Sequence, residues 1–554
     1  MVRPVDLLRQ GKKGELWQMC CGFIDLSLDQ FMHIQHRLLL EQIELLKHCE
    51  LGQRVMHRAV PETVEDFRNQ VPFTTYADYC PELHERHEHT LPAKPAYWVR
   101  TSGYSGTYDI KWVPWSEGFA AECEKVCGAC AIFSQARHHG DLARMKPHLK
   151  ILYTVGGLEY ASGALGHLMQ RAIDFDYLPS STDGMTFVES IKAGFAQALY
   201  QGLDGFGGLP SVLVTVGEQM KAQQTKPDMA FLRSHPAALL RLLRGLARSK
   251  LARRQLLPSD LWRLTGVLGG GTDSAVFKNR VEDMWGRRPL EMYAGTEGGL
   301  YATQLWDYEG LTFIPTLNFF EFIPEEEHRK GQSDLSYQPK TVLMDGVEPG
   351  QNYEMVITNL HGGSLVRFRV GDMIRITSMR NDNLGVNLPQ MAFYGRADYL
   401  IDIAGLGRLT ERIIWEAIEG TGVPYVDWTA RKEVREDRAV LHIYLEPRCI
   451  DGFTEKGLAL AVGRELERLD AQYHHNPYNI YDGPGSAQSR VEADHFIEVS
   501  LLPQGVFANY VLERQAEGAD LGHLKPSHIN PSDKVLSGLA IETAPSAEPV
   551  AAAR

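Results

Sequence analysis

The sequence predicts an α/β protein: a large N-terminal domain of mixed sheets with flanking helices, followed by a small, mobile α+β domain. Two apolar β-branched runs lie beside glycines, ILYTVGG (residues 151–157) and LPSVLVTVGEQM (209–220), and read as strand-to-loop corners of an α/β sheet. Composition then changes at FYGRAD (393–398). Beyond it VDWTARKEV (426–434) and AVLHIYLEP (439–447) alternate as antiparallel strands, and GLALAVGRELERLDAQY (457–473) has the spacing of an amphipathic helix. The boundaries drawn are 1–395 for the large domain, 396–540 for the small one and 541–554 for an Ala/Pro-rich disordered tail.

Taken in order, residues 16–49 are helical by the spacing of Leu39, Ile43 and Leu46, and are expected to pack on the large domain. TSGYSGTYDIK (101–111) follows. Gly103 and Gly106 let the backbone close round an anion, Ser102, Ser105 and Thr107 offer hydroxyl donors, and Lys111 adds a movable positive charge. These are the groups a triphosphate needs, although such a run is also an ordinary turn and its lysine does not stand where a Walker P-loop requires.

Cys123, Cys127 and Cys130 have the C-x₃-C-x₂-C spacing of an iron–sulfur loop, a rival redox function. The surrounding EGFAAECEKVCGACAIFSQA (117–136) instead reads as an apolar helix with the thiols in the core. FLRSHPAALLRLLRGLARSKLARRQLL (231–257) is a basic helical segment, read as a solvated face with an RNA-binding patch as the minority alternative.

In GVLGGGTDSA (266–275), Gly270 and Gly271 would let a flat base lie against bare backbone. In MYAGTEGG (292–299), Tyr293 offers a ring for stacking, Thr296 a hydroxyl, and Glu297 a carboxylate suited to a hard ion such as Mg²⁺. In VRFRVGD (366–372), Val366, Phe368 and Val370 alternate as a strand with Arg367 and Arg369 on its other face, and Asp372 stands just past it. There it could bind both ribose hydroxyls or cap a turn.

Composition narrows the class without choosing an enzyme. The chain has 554 residues, 44% hydrophobic and 23% charged, which suits a globular protein. A formal charge of −13 disfavours nonspecific binding to nucleic acid or an anionic membrane. No apolar run is long enough to span a bilayer, the first residues lack a signal-peptide core, and eight cysteines without a short secreted frame do not make a disulfide scaffold. A cytoplasmic location is the expectation.

The order of these segments resembles the acyl-adenylate-forming superfamily of acyl-CoA synthetases, nonribosomal adenylation domains and luciferases. Within it the chain is similar to the Gretchen Hagen (auxin-responsive promoter) family of acyl acid amido synthetases. FRNQVPFTTYADYCPEL (67–83), NLPQMAFYGRADYLIDIAG (387–405), LDAQYHHNPY (469–478), QGVFANYVLER (504–514) and LGHLKPSHI (521–529) carry that resemblance, which covers residues 67–531. The last three match a tyrosine-containing helix, a Gly-x-Phe strand start and a lysine before proline.

The resemblance implies ATP and Mg²⁺ as cofactors and a two-step reaction. A small-molecule carboxylic acid is activated as acyl-AMP, then passed to an amine, or in the acyl-CoA and carrier-protein ligases to a thiol. It implies that Ser102, Ser105, Thr107 and Lys111 hold phosphates, that Gly270, Gly271 and Tyr293 line an adenine slot, and that Glu297 holds Mg²⁺. Asp372 and Arg396 would bind ribose, Asp398 would be the hinge of a lid, and Lys525, with Lys111 and Glu297, would be catalytic. Tyr104 departs from the superfamily, which usually has threonine or serine there. A catalytically silent binding protein of the same fold is a third reading, against which Glu297 and Asp372 stand. The acid pocket would come from residues 187–203 and 156–163, where Tyr160 would either stack on a ring or pack.

Overall fold

In the computed structural model, short polar side chains set where the main helices begin. Ser27 accepts from the Gln30 N–H (3.2 Å) while Gln30 returns a bond to the Ser27 N–H (2.8 Å), starting the helix Leu28–Lys47. Its buried face carries Leu39, Ile43 and Leu46, together with two glutamines that tie it to the sheet. Gln35 bonds the Asn318 carbonyl and the Phe320 N–H, and Gln42 bonds Gly362 and Gly363. Ser116 likewise caps the helix Glu117–Phe133 through the Phe119 N–H.

The structure describes residues 2–101, 110–153, 157–182, 184–185, 187–222, 229–270, 274–333, 337–397, 401–403, 407–435, 438–448, 453–469, 496–516, 526–531, 533–539 and 541. The chain divides into two compact units, residues 1–274 with 278–397, and residues 275–277 with 398–554.

The first unit contains a hairpin, β1 (Pro95–Arg100) with β2 (Trp112–Ser116), and a mixed sheet of eleven strands. Those strands are β3 (Lys150–Tyr153), β4 (Asp176–Leu178), β5 (Gly205–Gly208), β6 (Gly266–Gly269), β7 (Leu290–Gly295), β8 (Gly299–Thr303), β9 (Leu311–Phe313), β10 (Asn318–Pro324), β11 (Asn352–Asn359), β12 (Phe368–Ser378) and β13 (Gln390–Arg396). Their order is β10-β11-β12-β13-β9-β8-β7-β6-β5-β3-β4. From β4 to β7 neighbours run parallel; from β7 to β10 they run antiparallel. The sheet therefore changes sense at β7.

β5 is Gly-Phe-Gly-Gly, a sequence of poor strand propensity held by packing. A Cβ on Gly205 would stand 2.8 Å from Ile151, and one on Gly207 would stand 2.7 Å from the Tyr153 ring. The glycines thus make room for β3's side chains. The run expected as a strand corner at residues 209–220 is instead the helix Pro210–Lys221. Proline at its first turn supplies a φ already suited to a helix, and the strand that the corner needed has been made by the preceding glycines. The basic segment divides at Pro236 into helices Met229–Ser234 and Pro236–Leu251.

The second unit contains β14 (Ile401–Ile403) paired with β15 (Gly407–Leu409), and a sheet of β16 (Tyr425–Arg435), β17 (Arg438–Pro447) and β18 (Ile497–Leu501). β16 and β17 are the antiparallel pair expected, and the helices Glu411–Gly420 and Glu455–Leu469 belong to the same unit. The segment expected to start a strand at residues 504–514 is a helix, Val506–Ala516. The buried Glu446 carboxylate accepts from the Gly505 N–H (2.7 Å) and the Phe507 N–H (3.0 Å), satisfying donors that a helix N-terminus leaves open. His528 is stacked on Trp428 at 4.8 Å and held between Asp427 (2.8 Å) and Glu411 (2.6 Å), which keep its imidazole protonated above the usual histidine range, Asp427 foremost. Among the described residues no helix is long and apolar enough to cross a membrane.

Two ion pairs fix β12. Arg369 forks onto the buried Glu354 (2.8 and 2.6 Å), which also binds His328, and Arg367 forks onto the buried Glu321 (2.9 and 2.8 Å). Arg367 also donates to the Arg68 and Val71 carbonyls, so it joins the N-terminal segment to the sheet. Arg367→Leu takes the bidentate partner from the buried Glu321, leaving it Thr341 (2.8 Å) and the more distant Arg68 (3.6 Å), and should cost about 3 kcal/mol in denaturant unfolding, whereas Glu321→Leu with Arg367→Leu should cost less. A double variant that loses as much as the single one would show that the stranded charge is not the cause.

Candidate functional site

The carboxyl ends of β5, β6 and β7 lie side by side where the sheet changes sense, the place at which open α/β sheets take ligands. Gly270, just past β6, donates to the Gly208 carbonyl at the end of β5 (3.0 Å). A Cβ built on Gly270 would meet nothing within 4 Å, so bare backbone faces open space there. β7 ends at Gly295, and the turn Thr296–Gly298 leads into β8.

That turn is held by its backbone. The Thr296 carbonyl accepts from Trp115 Nε1 (3.0 Å), the Glu297 carbonyl from Asn359 Nδ2 (2.9 Å), and the Gly298 carbonyl from Asn318 Nδ2 (2.8 Å). Asn359 also donates to Asn318 Oδ1 (2.9 Å), so the two amides fix one another. Three successive carbonyls are thus tied to three buried side chains. Gly298 is required, because a Cβ there would stand 2.2 Å from the Tyr301 ring. The Glu297 side chain is half-buried, and its carboxylate has no hydrogen-bond or ion-pair partner among the described residues. Among those residues no group of three or more His, Cys, Asp or Glu could hold a metal ion. A lone carboxylate suits Mg²⁺ brought with a phosphate, since that ion keeps few protein ligands.

Tyr293 in β7 donates its hydroxyl to Asp372 Oδ2 in β12 at 2.5 Å, and both side chains are buried. β13, β9 and β8 lie between those strands. In a flat sheet four spacings would separate them by roughly 19 Å. The antiparallel half must therefore curl until β12 faces β7. Pairing along this path is thin, since β13 with β9 and β9 with β8 share two register pairs each. Phe393 of β13 closes on the Tyr293 ring at 5.9 Å and Tyr301 lies against it at 4.9 Å.

Asp372 stands inside β12, not just past a strand as the alternation suggested. Arg367, just before β12, and Gly371 within it take left-handed φ values of 43° and 77°; the pairing with β11 shifts between Arg369 and Met373, and pairing with β13 begins with Asp372 opposite Arg396. The Arg396 backbone lies at the end of β13; its side chain is outside the described residues.

Ser102, Gly103, Ser105, Gly106 and Thr107 lie outside the described residues, as do Gly271, Asp398 and Lys525. The neck of residues 102–109 is described. Thr101 donates its N–H to the Lys111 carbonyl (3.0 Å) and accepts from the Lys111 N–H through Oγ1 (3.3 Å). β2 then carries Trp115 to the Thr296 carbonyl, so the loop neck and the β7–β8 turn share one support.

Arg100, the last residue of β1, donates to Tyr160 Oη (2.5 Å) with its guanidinium 4.5 Å above that ring. Tyr160 is thereby engaged by a cation. The three spaced cysteines are buried in the helix Glu117–Phe133, and burial pushes the Cys123 and Cys127 thiols well up and Cys130 to about 12. Such thiols pack as core groups.

Sequence reasoning missed Trp115, Asn318, Asn359 and Phe393, because support from distant strands leaves no local pattern. It also missed Glu291, which faces Gly269 in register and lies two residues before Tyr293 on β7. Burial lifts its carboxyl from 4.5 to about 7, with Lys278 opposing. Between those values the folded protein holds a proton that the unfolded chain has released, so stability falls as pH rises through the window. Glu291→Gln should flatten that fall, on the order of 2 kcal/mol, in unfolding free energies measured at either end. Parallel profiles for both proteins would show that Glu291 is not responsible.

Residues 21–194 match the GH3 family N-terminal domain and residues 311–396 the GH3 family central domain. The chain is 28% identical over 143 residues to an indole-3-acetic acid-amido synthetase, GH3.2, of Arabidopsis thaliana, covering 24% of this chain and 25% of that protein. It is 25% identical over 236 residues to the 4-substituted benzoates-glutamate ligase GH3.12 of the same plant, covering 41% and 38%. The chain thus spans about a quarter to two-fifths of the length of these relatives. Among solved structures, the AtGH3.15 acyl acid amido synthetase in complex with 2,4-DB superposes with a TM-score of 0.51 at 17% identity, over 94% of this chain and 95% of that one. A 2-hydroxyisobutyryl-CoA ligase with 2-HIB-AMP and CoA also gives 0.51, at 14% identity over 91% and 94%. The fold is that of these ligases, and the chain is similar to the GH3 family over that family's N-terminal and central domains.

Proposed function

We propose that this protein activates a carboxylic acid with ATP and passes the acyl group to an amine, forming an amide. The observation that carries the reading is the Tyr293–Asp372 hydrogen bond, which brings two motifs 79 residues apart to one end of the sheet, beside the Gly270 edge and the Glu297 turn. The names of the relatives, amido synthetases and an acid–glutamate ligase, support the same chemistry.

In the first step a carboxylate oxygen attacks the α-phosphorus of ATP, the bond to the β-phosphate oxygen breaks, and pyrophosphate leaves with the electron pair. In the second an amine attacks the acyl carbon, the bond to AMP breaks, and the nitrogen loses a proton. The base lies along the Gly270 and Gly271 edge beside Tyr293. Asp372 and Arg396 take the ribose, and the 102–107 loop with Lys111 takes the phosphates. Glu297 would hold Mg²⁺, which when bound would neutralise phosphate charge. Lys525 adds positive charge from the small domain, which turns about Asp398 and keeps water from the mixed anhydride. The seven described cysteines form no disulfide, which suits a reducing, cytoplasmic compartment.

Acid-dependent ATP–pyrophosphate exchange over aromatic, indolic and aliphatic acids tests the first step. Exchange should fall by about 10²-fold or more in Glu297→Ala and in Asp372→Ala. Exchange that persists in both variants would overturn the site assignment, and folded protein that binds no ATP would overturn the enzyme reading. Mass analysis of products with amino acids or coenzyme A then separates amide from thioester formation.

A further inference from the structure

The helix Pro236–Leu251 is turned inside out. Its buried positions are the small residues Ala238, Gly245 and Ser249, and a Cβ on Gly245 would stand 2.4 Å from Leu261. Five of its six leucines face water instead, Leu242 being half-buried: Leu239, Leu243 and Leu246 recur at helical spacing, and Leu240, Leu243 and Leu251 are 48%, 54% and 88% exposed. A contiguous aliphatic face of this kind on a folded protein marks a contact surface.

The charge around it says what kind. Residues 229–257 contain seven Arg and Lys and no Asp or Glu, in a chain whose formal charge is −13. Asp260 neutralises Arg254 at 2.7 Å, but Arg244, Lys250 and Arg253 are exposed and have no acidic partner among the described residues. The whole-chain charge averages this local field away. Leucines flanked by exposed Arg and Lys fit the boundary of an anionic bilayer, where apolar chains enter the acyl region and cations meet headgroups.

We propose that this helix is a reversible docking surface for anionic lipid. It goes beyond the adenylation reading and does not depend on it. Arg241 of the same helix donates to the Ala198 carbonyl of the helix Phe187–Gln201, so docking sets that neighbouring helix close to the lipid surface, where an apolar carboxylic acid concentrates.

The test is sedimentation of the full chain with vesicles of phosphatidylcholine alone and of phosphatidylcholine with phosphatidylglycerol. Binding is expected only with phosphatidylglycerol, weakening with salt. Leu240→Ser, Leu243→Ser and Leu251→Ser together should reduce it at least about tenfold. Arg244→Gln, Lys250→Gln and Arg253→Gln together should remove its dependence on phosphatidylglycerol. These side chains are exposed, and pyrophosphate exchange without vesicles should be unchanged in both variants. Absence of vesicle binding by the folded parent chain, or equal binding by the leucine variant, would overturn the proposal. So would a dimer in vesicle-free solution that the leucine substitutions dissolve, which gives the face to a second copy. Leucine-dependent retention on an immobilised acidic carrier protein without vesicle binding would assign it to a protein.

Discussion

The arrangement rests on the curl of the antiparallel half of the sheet, recorded by the hydrogen bond from Tyr293 to Asp372 across three intervening strands. A flat sheet would leave a carboxylate on β12 facing nothing on β7. Once curled, the sheet brings β12 and β13 over β7, so that Phe393 joins Tyr301 of the neighbouring β8 against the Tyr293 ring and the buried Asp372 carboxylate meets a donor. Burying a carboxylate without a donor is costly, so the hydroxyl of Tyr293 helps hold closed the geometry that places it there.

Such a bond needs stiff supports on both sides. On one side the β7–β8 turn is fixed through its carbonyls by Trp115, Asn318 and Asn359, which leaves the Glu297 side chain out of the structural bonding. On the other, Arg367 and Arg369 lock β12 to Glu321 and Glu354 immediately before the Gly371 bend. Buried ion pairs of this kind add little net stability over apolar packing, but they penalise any other register, because a one-residue slip would bury both charges unpaired.

The sequence made the local periodicities legible. The strands at 426–434 and 439–447 and the cysteine helix at 117–136 follow from side-chain spacing alone. The order of the motifs also led to the GH3 family, whose N-terminal and central domains match. Three local readings failed for non-local reasons. VLVTV after Pro210 has strand composition yet forms a helix, because a glycine strand unreadable by propensity occupies the sheet position before it. GVFANY forms a helix because Glu446, some sixty residues earlier, caps its donors. Asp372 lies within its strand because Arg367, with a left-handed φ, stands just before β12, and the left-handed φ of Gly371 interrupts the alternation without ending the strand. The supports of the β7–β8 turn come from three distant strands, so no window of sequence contains them.

The change of sense at β7 also divides the chemistry. On the parallel side, β5 and β6 end in glycines, and at Gly270 no side chain and no neighbour stands in the way of a flat approach, suited to a neutral planar base. On the antiparallel side the residues that meet β7 are Asp372 and the Glu297 turn, whose carboxylates suit hydroxyls and a hard cation. A nucleotide is polar in the same sense: an uncharged base at one end, a ribose in the middle, and charged phosphates with their metal at the other. A ligand laid across β7 would meet those needs in order, with the Thr101–Lys111 neck, tied through β2 to the same turn, at its charged end.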